Sequence, residues 1–237
     1  MPTTVTTPTS LLLVHSPVVG PSTWGRLAES ARTTGTTVAL PDLTAVIGGS
    51  GPLWRGFVET VVDSAKDLPA PVAVVGHSAA GALLPLIGDA LGGHLGHLIF
   101  VDAVIPPVDR AHETPSRLKE LLDQHTEDGV LAPWLDWWSD DVLDSLLPDW
   151  NDRAILRADL PALPRSYYDE EIPVPGRWST WACRYLRLSA AYDTELVRAV
   201  ESGWPTAELE STHLGMFTDP GPVLESLQKL TTSDHRE

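Results

Sequence analysis

Through its first hundred residues the chain alternates two patterns, and this alternation limits its possible folds more than any other feature. Short apolar runs occur at SLLLVHS (10–16), TVALP (37–41), VAVVGHS (72–78) and HLIFVDA (97–103). Their length and continuous apolarity are those of strands buried on both faces. Between them, STWGRLAESART, PLWRGFVETVVDSAKDL and AAGALLPLIGDAL show helical spacing with turn residues at their ends. A strand that is apolar on both sides needs cover on both sides, and helices between successive strands supply it. The pattern therefore reads as a parallel sheet flanked by helices.

The alternation stops after Pro106 and Pro107. From Val108 to Trp181 the chain is richer in acid, proline and tryptophan, with short helices expected at PSRLKELLDQH, APWLDWW, DDVLDSLL and ALPRSYYD. The strand runs CRYLRLS (183–189) and TAELEST (206–212) then resume, with helical TELVRAVESG and GPVLESLQKL. Residues 108–181 thus read as a helical cap, or lid, inserted between two strands of one domain spanning 1–237. The Thr-rich first nine residues read as a mobile tail.

Composition excludes several function classes. The net charge is -16, and its 16 Lys and Arg residues form no run, so nucleic acid is not an expected partner. No apolar stretch approaches the ~20 residues that cross a bilayer, so no membrane association is expected. Met1 to Ser10 lacks the basic start and apolar core of a signal peptide, and Cys183 has no second cysteine to pair with. The expected compartment is the cytoplasm. His94 and His97 in GGHLGH have no third ligand nearby, and neither HExxH nor a Gly-rich phosphate loop occurs, so neither a metal nor a cofactor is expected. A small-molecule substrate is the expected partner, with the chain a monomer or homodimer.

The chemistry concentrates at VAVVGHSAAG. A strand ends here and a helix begins directly after Ser78, a sharp turn that tolerates only small residues around it. Gly76, Ala79, Ala80 and Gly81 meet that demand, with Ala80 standing where G-x-S-x-G would have its second glycine. A serine hydroxyl is a poor nucleophile until a base takes its proton, and the base works best when a carboxylate orients it. His213, in STHLG after a strand-like run, is the candidate base. Asp193, in SAAYD after CRYLRLS, is the favoured acid, though it could instead cap the helix that follows. Asp102, at the end of HLIFVDA, is the rival acid, or a structural residue that satisfies backbone N–H groups.

With these residues in view the chain resembles the α/β-hydrolase family along nearly its whole length. LLLVHSPVVGPSTW looks like the first strand and loop, VVGHSAAG like the nucleophile elbow, SAAYD like the acid loop and THLGMFTDP like the histidine loop. The resemblance implies a mostly parallel six-stranded sheet with a helical cap, and a serine esterase-like activity without cofactor. It also implies an oxyanion hole: Ala79 N–H supplies one donor, while the second donor position aligns with Pro17, which has no N–H. Val18 N–H or the Ser16 hydroxyl would have to substitute. A lyase or other non-hydrolytic use of the Ser-His pair, or a silent ligand-binding protein, are the alternatives. Leu214 follows His213 where the similar hydroxynitrile lyases carry Lys, which disfavours cyanohydrin cleavage. Trp134 and Trp138, with His77, Pro17 and Leu214, are expected to line a hydrophobic substrate pocket.

Overall fold

The computed structural model describes residues 10–232, and the Thr-rich stretch lies outside the described residues. In chain order come β1 (Ser10–Val14), α1 (Ser22–Thr33), β2 (Thr37–Ala39), α2 (Leu53–Ser64), β3 (Val72–Ser78), α3 (Leu84–Leu91) and β4 (Leu95–Ala103). A segment that adds no strand to this sheet follows, carrying α4 (Ser116–Gln124), an antiparallel pair β5 (Thr126–Glu127) and β6 (Val130–Leu131), α5 (Asp140–Leu146) and α6 (Trp150–Arg157). Then come β7 (Cys183–Arg187), α7 (Asp193–Glu201), β8 (Thr206–Glu208), α8 (Gly215–Thr218) and α9 (Pro220–Thr232). The main sheet has six strands in the order β2-β1-β3-β4-β7-β8, all parallel.

This order places the site. The chain leaves β1 toward β2 on one side and returns to β3 on the other, so the loops after β1 and β3 diverge and open a crevice at the carboxyl ends of the strands. The strands beside it are the most deeply buried: Leu12, Leu13 and Val14 of β1, Val72 to Val75 of β3 and Leu98 to Val101 of β4 are all inaccessible. The edge strands β2 and β8 are three residues each and partly exposed, which offers little free edge for pairing with another chain. Helix α1 buries Trp24, Leu27, Ala28 and Ala31, the i, i+3, i+4, i+7 stripe, and Trp24 Nε1 donates to the Val14 carbonyl at 3.2 Å.

Two features differ from the sequence reading. AAGALLPLIGDAL is not one α-helix: Ala79–Leu83 is a 3-10 turn and α3 begins only at Leu84. Pro85 is the physical reason, since it lacks the N–H that would bond back to Gly81 and is accommodated only in a helix's first turn. APWLDWW and ALPRSYYD likewise hold short 3-10 turns, Trp134–Trp137 and Arg165–Asp169, each directly after a proline.

The segment between β4 and β7 is tied down by some of its carboxylates. Asp159 accepts from Ser22 N and Ser22 Oγ, both at 2.8 Å, at the start of α1. Glu170 accepts from Leu53 N at 2.8 Å and Trp54 N at 3.1 Å at the start of α2. Each satisfies N–H groups that a helix leaves unbonded at its positive end. Asp152 adds a bidentate pair with Arg26, whose guanidinium lies over the Phe217 ring at 4.2 Å. Trp178 is fully buried against Phe100 and Trp204 and donates to the Pro107 carbonyl at 3.2 Å. Among the described residues no helix is long and apolar enough to cross a membrane.

Candidate active site

Ser78 ends β3 with φ 57° and ψ -127°, a backbone region that a residue with a side chain enters only at a cost of ~1–3 kcal/mol. The small neighbours make this turn possible. A Cβ on Gly76 would collide with the Leu84 side chain, and one on Gly81 with the Val104 backbone carbonyl. The position that excludes a side chain is therefore Gly81, one place later than the usual motif has it. Ala80 fits, fully buried, where the second glycine was expected.

Beside this turn β3 and β4 slip register: His77 pairs with Val101, but Ser78 pairs with Ala103. Asp102 is the extra residue, with φ 41° and no exposure. Its Oδ1 accepts from Leu188 N at 2.6 Å and Ser189 N at 3.1 Å, and its Oδ2 from Ser189 Oγ at 2.5 Å and His213 Nδ1 at 3.0 Å. The bulge is pinned by Tyr185, whose hydroxyl accepts from Ala103 N at 3.2 Å and donates to Ala103 O at 3.0 Å. Because a carboxylate can only accept, His213 Nδ1 donates in this pair, and Nε2 is the ring nitrogen not engaged by Asp102.

The structure brings Asp102, the rival acid, to His213, and not the favoured Asp193. Asp193 sits in the exposed first turn of α7, where its Oδ1 pairs with Arg187 Nε at 3.0 Å, and Asp102 holds His213 instead. The loop after β7 curls so that Leu188 N and Ser189 N point back at Asp102, which carries Asp193 past the site. Sequence reasoning also missed Tyr192, the residue just before Asp193. Its ring is stacked on His213 with centroids 5.1 Å apart and planes 6° from parallel, and its hydroxyl lies 3.2 Å from Ser78 Oγ. Burial pushes the phenol pKa up to about 12.

The neighbouring histidines hold loops. His77 is buried with its ring 4.3 Å from that of His213, and its Nε2 donates to the His213 carbonyl at 2.9 Å. Burial holds its pKa well below the usual imidazole value, with the nearby His213 adding to the effect, so it stays neutral. His15, also buried and lowered by desolvation, donates from Nδ1 to Ser16 O at 2.9 Å and accepts Leu43 N–H at Nε2 at 3.0 Å. The loop after β1 is thereby fixed. Val19 N–H is bonded to Ser16 O at 3.1 Å, and the buried Ser16 Oγ has no partner among the described residues.

A cavity of about 750 Å³ begins at Ala79. Ala82, Val104 and Ile105 wall it from the sheet side, Tyr168 and Ile172 from the inserted segment, and Arg110, Glu113, Glu195 and Arg198 add charge to its lining. His77, Pro17, Trp134, Trp138 and Leu214, the residues expected to line a pocket, do not line this one. The reason is packing: His77 and Leu214 are sealed in the core at 1% and 0% exposure. The Trp134 ring lies 6.4 Å from that of His213, and Trp138 packs edge-on against Trp134 at 5.7 Å. Among the described residues no cluster of three or more His, Cys, Asp or Glu could hold a metal ion.

Comparison with known proteins matches this fold. A family model described as "Alpha/beta hydrolase family" covers residues 11–225. No curated protein matches the chain in sequence. Among solved structures, an extracellular alpha/beta-hydrolase from a Paenibacillus species is similar at TM-score 0.76 and 17% identity, over 95% of this chain and 100% of that one. It is described as sharing structural and functional homology with tobacco salicylic acid binding protein 2. Polyneuridine aldehyde esterase is similar at TM-score 0.73 and 14% identity, over 94% of this chain and 99% of that one. Tomato methylketone synthase I, complexed with β-ketoheptanoate, is similar at TM-score 0.72 and 15% identity, over 94% and 97%.

Proposed function

The chain belongs to the alpha/beta hydrolase family, and from that premise we propose that it is a serine hydrolase working without cofactor. Its substrate is a small, hydrophobic ester, lactone or thioester, and its machinery is Ser78, His213 and Asp102. The observation that carries this reading is that Tyr192 bridges a strained Ser78 and His213, with its hydroxyl 3.2 Å from Ser78 Oγ and its ring stacked on His213, whose Nδ1 meets the buried Asp102 at 3.0 Å.

Each residue has a role that follows from its chemistry. Ser78 Oγ attacks the carbonyl carbon while His213 Nε2 takes its proton. Asp102 keeps the imidazole in the tautomer that leaves Nε2 free and offsets the positive charge that develops. His213 returns the proton to the leaving atom, and water then repeats the sequence on the acyl-enzyme. The oxyanion is held by Ala79 N–H, with Val18 N–H and the Ser16 hydroxyl taking the place of the N–H that Pro17 lacks. The partnerless, buried Ser16 Oγ supports this assignment, because a buried hydroxyl without a partner normally costs stability and persists for a reason. Residues 108–181 act as the cap, a reading supported by Trp134 beside His213 and by Tyr168 and Ile172 in the cavity wall. The apolar part of that wall suits the hydrophobic portion of the substrate.

Pro17 is the one observation that favours a second reading, a lyase or other non-hydrolytic enzyme using the Ser-His pair for proton transfer. Labelling with a fluorophosphonate, read by intact mass beside Ser78→Ala, separates the two. A covalent adduct on the wild type alone supports the hydrolase. A folded wild type that takes no label removes the acyl-enzyme and leaves the second reading.

A further inference from the structure

The hydroxyl of Ser78 has a partner that the triad does not account for. Tyr192 Oη lies 3.2 Å from Ser78 Oγ, and the Tyr192 ring is stacked on His213 within 6° of parallel. The contact holds Tyr192 against both reacting side chains at once. The strand order gives it a definite side. Tyr192 follows β7, beyond β4 from the nucleophile strand, whereas the loop bearing Ser16 and Val18 follows β1 on the opposite flank of β3. Tyr192 thus belongs to a loop on the other flank of β3 from that one, and the atom its hydroxyl meets is the nucleophilic oxygen itself.

Either hydroxyl can donate in this contact, and burial keeps the phenol protonated and so able to donate at neutral pH. Ser78 must give its own proton to His213, so the arrangement that serves both groups has Tyr192 donating to Oγ. A donor on Oγ draws electron density from it. That weakens Oγ slightly as an attacking atom and stabilises it when it departs with an electron pair.

We propose that Tyr192 is a further catalytic residue, a hydrogen-bond donor that stabilises Ser78 Oγ as the leaving group when the acyl-enzyme is hydrolysed. The inference rests on the serine-hydrolase reading above. In that second half-reaction water attacks the acyl carbon and its proton passes to His213 Nε2. The bond between the acyl carbon and Oγ then breaks, the electron pair stays on Oγ, and His213 returns the proton to it. Tyr192 donates a hydrogen bond throughout and transfers nothing.

The test is pre-steady-state hydrolysis of p-nitrophenyl acetate by wild type, Tyr192→Phe and Asp193→Asn, with intact mass to detect acetyl-enzyme. Phe keeps the ring stacked on His213 and removes only the hydroxyl. The expected result for Tyr192→Phe is a kcat lower by about tenfold, a KM lower in proportion, kcat/KM within about twofold, and a larger burst with acetyl-enzyme accumulating. Asp193→Asn, in the same loop, keeps the wild-type partition. A ring-fluorinated tyrosine at 192, a stronger donor, shortens the acetyl-enzyme lifetime, and this second variant decides the matter if Tyr192→Phe fails to fold. Equal loss in kcat and kcat/KM, or no change in either, overturns the assignment of Tyr192 to deacylation. A wild type that neither turns over nor forms an adduct on Ser78 overturns the hydrolase reading itself, and Tyr192's role with it.

Discussion

Ser78 and Asp102 occupy neighbouring strand ends where the pairing of β3 with β4 slips by one residue, and both adopt positive φ, 57° and 41°. The two strained residues are consequences of one irregularity. In a regular ladder Asp102 would pair across from Ser78 and its side chain would follow the strand's alternation. The bulge frees it to turn toward the loop after β7 and toward His213.

The two candidate acids should separate cleanly in kinetics. Asp102→Asn is expected to lower kcat/KM on a p-nitrophenyl ester by roughly 10³–10⁴, since the amide would favour the wrong imidazole tautomer. Asp193→Asn should change it by less than about threefold, because Asp193 pairs with Arg187 at an exposed position. A reversal of the two effects would return the acid role to Asp193.

Ser16→Ala should split activity from stability. Its hydroxyl has no partner to lose, so the urea midpoint should hold or rise slightly. If the hydroxyl serves the oxyanion, kcat falls by about 10- to 100-fold. Unchanged kcat would leave that task to Val18 N–H.

Gly81→Ala should destabilise the fold by about 1–3 kcal/mol, because its Cβ meets the Val104 backbone carbonyl, which cannot move without shifting the chain beyond β4. Gly93→Ala, where a Cβ meets nothing, serves as the control. Denaturant midpoints that coincide for the two variants would show that the turn is less tightly packed than its geometry indicates.

The acid limb of stability should carry the signature of buried imidazoles. His15 and His77 titrate lower in the folded chain than in the unfolded one, each mainly through desolvation. Above about pH 6.5 both states hold them neutral and stability is fully present. As the pH falls below that value the unfolded chain takes up protons that the folded chain refuses. Stability is then lost at up to about 1.4 kcal/mol per pH unit for each ring, down to its folded pKa. Urea midpoints should therefore be flat from pH 7 to 8.5 and fall below 6.5, and a midpoint unchanged at pH 5.5 would contradict the neutral assignment of both rings.

The sheet and the turn were legible in the amino-acid sequence because the signals behind them are local. Buried strands are continuous apolar runs, α1 covers the same twelve residues as its predicted stretch STWGRLAESART, and small residues crowd around Ser78 because Leu84 and Val104 leave no room. His213 is likewise placed by its position just beyond a strand. What tertiary structure alone decided is the choice among residues that look alike in sequence. Asp102 lies at the end of one strand run and Asp193 just beyond another, and the register of β3 against β4, with the path of the loop after β7, determines which carboxylate turns to His213. Tyr192, Asp159 and Glu170 are ordinary loop residues until residues 114 to 137 positions away are brought against them. Pairing register and long-range contact depend on the whole packed sheet, so no window of the chain contains them.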